Sequence, residues 1–131
     1  MRILILDDSQ ERLNLFVKNF KGIYPNAEVF LTTTAKECIN YISEKTVWDL
    51  VCLDHDLGDE YYVDPTDSNT GSEVVRWLSA NELLTPKPKF IVHSFNHIQA
   101  PRMVYDLKLT GYEAHYMPGV WLDNIFKETF G

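Results

Sequence analysis

Asp7 and Asp8 follow the apolar run Ile3-Leu4-Ile5-Leu6, and Asp54 and Asp56 follow Leu50-Val51-Cys52-Leu53, in a chain of 131 residues. Short apolar runs of this kind read as parallel strands covered on both faces. They carry the four acids to the carboxyl ends of neighbouring strands, the edge at which open α/β sheets bind ligands. Carboxylates crowded together make one another harder to ionise. A hard divalent cation with oxygen ligands removes that penalty, and Mg2+ (or Mn2+) suits a site whose other ligand is a phosphate. Asp7, Asp8, Asp54 and Asp56 are therefore the expected metal ligands, and Asp56 can serve instead as a base.

Proton-transfer groups stand beside the same strand ends. His55 and His93 are ionisable near neutrality, so one can accept a proton while the other returns one to a leaving oxygen. Asp54, His55 and His93 are the candidate catalytic residues. Ser94 and Asn96 are expected to donate to phosphate oxygens, and Arg102 to provide a fixed guanidinium suited to bidentate phosphate contacts. Structural roles compete with each of these: Asp7-Asp8 can cap the first helix, His93 can be a core histidine, His55 can face solvent, and Ser94 can close a strand end. An alternative chemistry keeps Asp54 as a nucleophile and passes through an aspartyl-phosphate.

The elements that position these groups alternate between strand-like and helix-like stretches. The strand-like runs are 2–6, 28–31, 49–53, 89–93 and 113–116, the pattern of a parallel sheet with helices on both faces. Between them, Leu13, Phe16, Val17 and Phe20 fall at helical spacing, as do Ala35, Cys38, Ile39 and Ile42, and Val74, Trp77 and Leu78. Ser9 is a candidate cap for the first helix, and Pro101 fits the first turn of a fourth helix carrying Val104 and Leu107. Trp121, Leu122, Ile125 and Phe126 predict a closing helix. Residues 57–70 form a loop longer than a usual strand-to-helix connection, and such loops are commonly functional or disordered.

The formal net charge is −7, with 45% hydrophobic and 24% charged residues. Such a balance argues for one soluble globular domain over residues 1–131 and against duplex nucleic acid as a partner, which needs a basic face. Two cysteines, Cys38 and Cys52, suggest no disulfide framework. No apolar run approaches the roughly 20 residues that cross a bilayer, so no membrane partner and a cytoplasmic location are expected.

Acid pair, third-strand acid and Ser94 at the end of the fourth strand together resemble the receiver domain of two-component response regulators. The resemblance spans nearly the whole chain. It implies a flavodoxin-like α/β fold, a five-stranded parallel sheet in the order 2-1-3-4-5 with helices on both faces, with Asp7 and Asp8 holding Mg2+ and Asp54 facing a phosphoryl group. Two positions depart from receivers: Met117 precedes Pro118 where receivers carry a lysine, and Ala114 stands where they carry an aromatic switch residue. Leu53-Asp54-His55-Asp56-Leu57-Gly58 with His93-Ser94-Phe95-Asn96 is similar to a divergent offshoot, the cyclic-phosphate-processing receiver family. That likeness implies a small phosphorylated ligand, a cyclic nucleotide or an RNA end, and a metal-dependent phosphoesterase. The alternatives are a stand-alone receiver that accepts phosphate on Asp54 and a nucleotide binder without turnover.

Overall fold

The computed structural model describes residues 1–44, 46–58 and 63–118. Five strands, β1 (Arg2–Leu6), β2 (Glu28–Thr32), β3 (Leu50–Leu53), β4 (Lys89–Val92) and β5 (Ala114–Tyr116), alternate with four helices, α1 (Gln10–Ile23), α2 (Ala35–Ser43), α3 (Gly71–Ala80) and α4 (Gln99–Thr110). All strand pairs are parallel, and the sheet order is β2-β1-β3-β4-β5. The expected fold class and strand order are those observed, with strand ends within a residue of the sequence expectation. The closing helix over Trp121, Leu122, Ile125 and Phe126 lies outside the described residues, as do Asp59 and Glu60 of the long loop.

Side-chain alternation divides the sheet into two apolar faces. Ile3, Ile5, Leu50, Cys52 and Ile91 pack against Leu13, Phe16 and Phe20 of α1. Leu4, Leu6, Val51, Leu53, Phe90 and Val92 pack against Cys38 and Ile42 of α2, Val74 and Leu78 of α3, and Met103 and Leu107 of α4. Each large side chain so buried contributes roughly 1.5–3 kcal/mol, and these two layers fix the strands that carry the acids. Cys38 and Cys52 are free and buried within them. Burial pushes the Cys38 thiol up to about 12, so both behave as small hydrophobes.

The helix starts are defined by side chains. Ser9 accepts from Arg12 N, Thr34 from Glu37 N and Thr70 from Glu73 N, each satisfying an otherwise orphan donor of the first turn. At α3 the sequence needs glycine for a different reason. A Cβ on Gly71 would lie 1.9 Å from the backbone oxygen of Asp54. Only a residue without a side chain lets α3 begin this close to the end of β3, and Gly71 N donates to His55 O across the gap at 3.2 Å. Pro101 falls in the first turn of α4, where its missing N–H costs nothing.

Candidate functional site

Strand register explains which functional side chains meet. Leu6 pairs with Leu53, and Leu53 with Val92. One residue further on, Asp7, Asp54 and His93 stand side by side, held by Asp54 N donating to Leu6 O and His93 N to Leu53 O, each at 3.0 Å. Alternation then puts all three on the α1 face, since Ile5, Cys52 and Ile91 two residues earlier pack there. One ligand atom from each of Asp7, Asp54 and His93 lies within 4.8 Å of the others, and all three residues are buried.

Asp7 has no exposed surface and is surrounded by donors. Arg12 of α1 reaches it with two charge-assisted bonds of 2.8 Å, Nε to Oδ2 and Nη2 to Oδ1. Ser9 N donates to Oδ1 at 2.9 Å, and Nε2 of His93 lies 3.1 Å from Oδ2. Burial by itself would raise this carboxyl, but the bonds from His93 and Arg12 outweigh it and hold the group at about 2. A carboxylate only accepts, so His93 donates through Nε2. Its other ring nitrogen, Nδ1, is buried with no hydrogen-bond partner among the described residues. The edge of the ring packs on Phe16, with centroids 4.7 Å apart.

Asp54 is 5% exposed and less well served. Its Oδ1 accepts from His55 N at 2.8 Å, and its Oδ2 has Arg12 Nη2 at 3.5 Å. Burial therefore dominates and raises the carboxyl to about 6, against the pull of His93 and Arg12. Arg12 is the cation that the sequence reading passed over. Its Nη2 also lies 3.5 Å from Asp8 Oδ1, so a single guanidinium serves three carboxylates. The bonds to Asp7 above all raise its already high pKa. An arginine four residues after an acid, in the first turn of the helix that follows the pair, is the signal that could have found it.

Other expected residues stand elsewhere. His55 continues the alternation of Leu53 and faces α3: Nε2 is 2.8 Å from Val63 O and Nδ1 is 3.0 Å from Ser72 Oγ. A carbonyl accepts only, which assigns the proton to Nε2 and leaves Nδ1 to accept from Ser72. Both ring nitrogens are thus engaged outside the Asp7–Asp54–His93 group. Asp56 Oδ1 accepts from Val63 N at 2.7 Å and from Asn96 Nδ2 at 3.3 Å. Its carboxylate ties down the returning loop, and neither it nor Asp8 belongs to the close group. Asn96 holds the turn ahead of α4, its Oδ1 accepting from Ile98 N and Gln99 N. Ser94 Oγ accepts from Asn96 N, which leaves its hydroxyl proton free to give. Arg102 is exposed on α4 and lines a groove of about 550 Å3 against α3, shared with Ser72, Val75, Arg76, Gln99 and Asp106; Asp7, Asp8, Asp54 and Asp56 are not among its lining residues. Met117 and Ala114 are buried among apolar side chains, and neither carries a group able to bond a phosphoryl oxygen.

The close group fits a divalent cation. Two carboxylates offer hard oxygen donors, and the His93 imidazole can join them once its Nε2–H bond to Asp7 is given up.

Solved structures that share this architecture include response-regulator receiver domains. A CheY-like receiver from Methanospirillum hungatei JF-1 superposes with a TM-score of 0.69 at 21% identity, covering 98% of this chain and 89% of its own. A receiver domain from Rhodospirillum rubrum gives 0.69 at 17% identity, covering 100% and 96%. The Mn2+-bound form of response regulator Rcp1 gives 0.65 at 18% identity, covering 97% and 87%. These likenesses define the class: a receiver-type α/β domain. No curated protein matches the chain. A sequence profile for the cyclic-phosphate processing receiver domain matches residues 2–109, and the chain belongs to that family.

Proposed function

We propose that this domain is a divalent-metal-dependent phosphoesterase acting on a small cyclic or terminal nucleotide or RNA phosphate. The observation that carries the reading is the convergence of Asp7, Asp54 and His93 in one register row, with their ligand atoms within 4.8 Å. The family's description as cyclic-phosphate processing supports the substrate class.

Asp7 and Asp54 would hold Mg2+ or Mn2+. An ion bound there supplies charge neutralisation for nonbridging phosphate oxygens and a water of lowered pKa. The chain's own groups do the rest. His93, whose Nε2 lies at the acid group 3.1 Å from Asp7 Oδ2, would be the residue that takes a proton and returns it to the leaving oxygen. An imidazole oriented by a carboxylate in this way contributes about 10²–10⁴ in rate. Ser94 has a hydroxyl proton to offer a phosphate oxygen. His55 acts from behind Asp54 as a positioning residue: it joins the loop at Val63 to the start of α3 at Ser72. The apolar Met117 and Ala114 count against the phosphorylation-signal alternative.

Purified protein is expected to open a nucleoside 2′,3′-cyclic phosphate only with Mg2+ or Mn2+ present. Asp54→Asn should abolish turnover, and His93→Ala should lower it about tenfold or more. Unchanged turnover in both variants would end the proposal.

A further inference from the structure

Arg12 is placed as an internal substitute for the divalent ion. Its Nη2 is 2.8 Å from Asp7, 3.5 Å from Asp8 and 3.5 Å from Asp54, so one nitrogen sits among three carboxylates from two strand ends. With all three ionised the carboxylates carry −3, so one guanidinium leaves −2 on this group and a divalent ion in its place leaves −1. An ion also approaches oxygen to roughly 2.0–2.1 Å, closer than any of the guanidinium contacts. Coulomb attraction grows with charge and falls with distance, so an entering ion competes with Arg12 for Asp7 and Asp54.

The displaced side chain has somewhere to go. Arg12 is 32% exposed, and its backbone is fixed by the Ser9 cap, so the guanidinium can swing out while its base stays at the rim of the site. From there a planar guanidinium offers the two parallel donors that suit a phosphate.

We propose that Arg12 is a metal-displaced phosphate clamp: it neutralises Asp7, Asp8 and Asp54 until a divalent ion enters, then turns its guanidinium to the phosphate bound beside that ion. This deepens the metal-dependent reading of the site and depends on it for the ion, but not for turnover.

Two equilibrium measurements on the full chain test it without any catalysis. Mn2+ binding followed by electron paramagnetic resonance, with no phosphate present, should be about tenfold tighter in Arg12→Gln than in wild type. Inorganic phosphate binding to the Mg2+-saturated protein, measured by calorimetry, should be about tenfold weaker in the same variant. Arg12→Lys, which keeps the charge and loses the fork, should not restore the phosphate affinity. In wild type, the Arg12 Nε–H nuclear magnetic resonance signal should shift and exchange faster with water on adding Mg2+. Mn2+ affinity unchanged or weakened in Arg12→Gln, or an Arg12 signal indifferent to Mg2+, would overturn the proposal, because a merely structural arginine predicts one of these. Opposite changes in metal and phosphate affinity in a protein that opens no cyclic phosphate would instead sustain Arg12's role and refute the phosphoesterase reading.

Discussion

Gly71→Ala tests the way the site is assembled. The added Cβ would stand 1.9 Å from Asp54 O, 2.8 Å from its carbonyl carbon and 2.7 Å from Met103 Cε. Ordinary contact begins near 3.4 Å, so the α3 start or the Asp54 peptide must move by about 1.5 Å in a close-packed interior. Met103 can swing its terminal methyl away; the Asp54 backbone, paired through its N–H to Leu6 O, cannot. Overpacking typically costs about 1–3 kcal/mol, and a clash with backbone belongs at the upper end. Losing the Gly71 N–H to His55 O bond adds about 1 kcal/mol, while the better helix propensity of alanine returns about 1 kcal/mol at most. The net expectation is a loss of about 3 kcal/mol, a fall in Tm of roughly 10 °C for a domain of this size. Urea and thermal unfolding measure it directly. Gly22→Ala is the matched control: nothing lies within 4 Å of its added Cβ, Gly22 is within α1, and the same change should raise stability by up to about 1 kcal/mol. A Gly71→Ala protein as stable as wild type would show that α3 does not start against the Asp54 carbonyl, and the site built on that approach would fall with it.

Stability should also vary with pH in a way that identifies Asp54. Its carboxyl is raised to about 6 from an ordinary 3.8, so the folded chain keeps a proton that the unfolded chain releases. That contribution is complete below about pH 4 and lost as pH rises through 6, amounting to at most about 3 kcal/mol. Asp7 runs the other way: lowered to about 2, it stabilises above pH 4 and loses its contribution as pH falls toward 2. Metal-free protein should therefore weaken between pH 4 and 7 in urea titrations. Asp54→Asn should flatten that decline, and an identical decline in the variant would refute the assignment. Asn96→Ala removes the acceptor for Ile98 N and Gln99 N ahead of α4 and the donor to Asp56. It should cost about 1–2 kcal/mol in the same assay, and a neutral result would contradict the role of these bonds.

Much of the architecture was legible in the amino-acid order. Continuous apolar runs such as Ile3 to Leu6 and Phe90 to Val92 mark strands packed on both sides, and the intervening 3.6-residue stripes mark their covering helices, because burial imposes these periods whatever the function. The acids at the strand ends were visible for the same reason, and the resemblance supplied the order 2-1-3-4-5. The partition of the site was not read off. His55 and His93 look equivalent as sequence, each beside a strand end, yet one engages Ser72 and Val63 while the other meets Asp7. Alternation past the paired rows Leu6–Leu53–Val92 decides this, and it needs the register between strands 86 residues apart in sequence, Asp7 and His93 being one example.

Long side chains escape even that rule. The choice between Arg12 and Arg102 as the local cation depends on which helix packs over the face bearing Asp7 and Asp54. Residue type cannot express it, since both are arginines near helix starts. Asn96 and Asp56 likewise carry groups suited to a phosphate or a metal, but the folded chain engages them to hold the turn ahead of α4 and fasten a loop. Sequence thus determined which elements form and which chemical groups reach the sheet edge. Tertiary structure alone decided which of those groups face one another, because that depends on strand register, the side of the sheet and the helix above it, none of which is local.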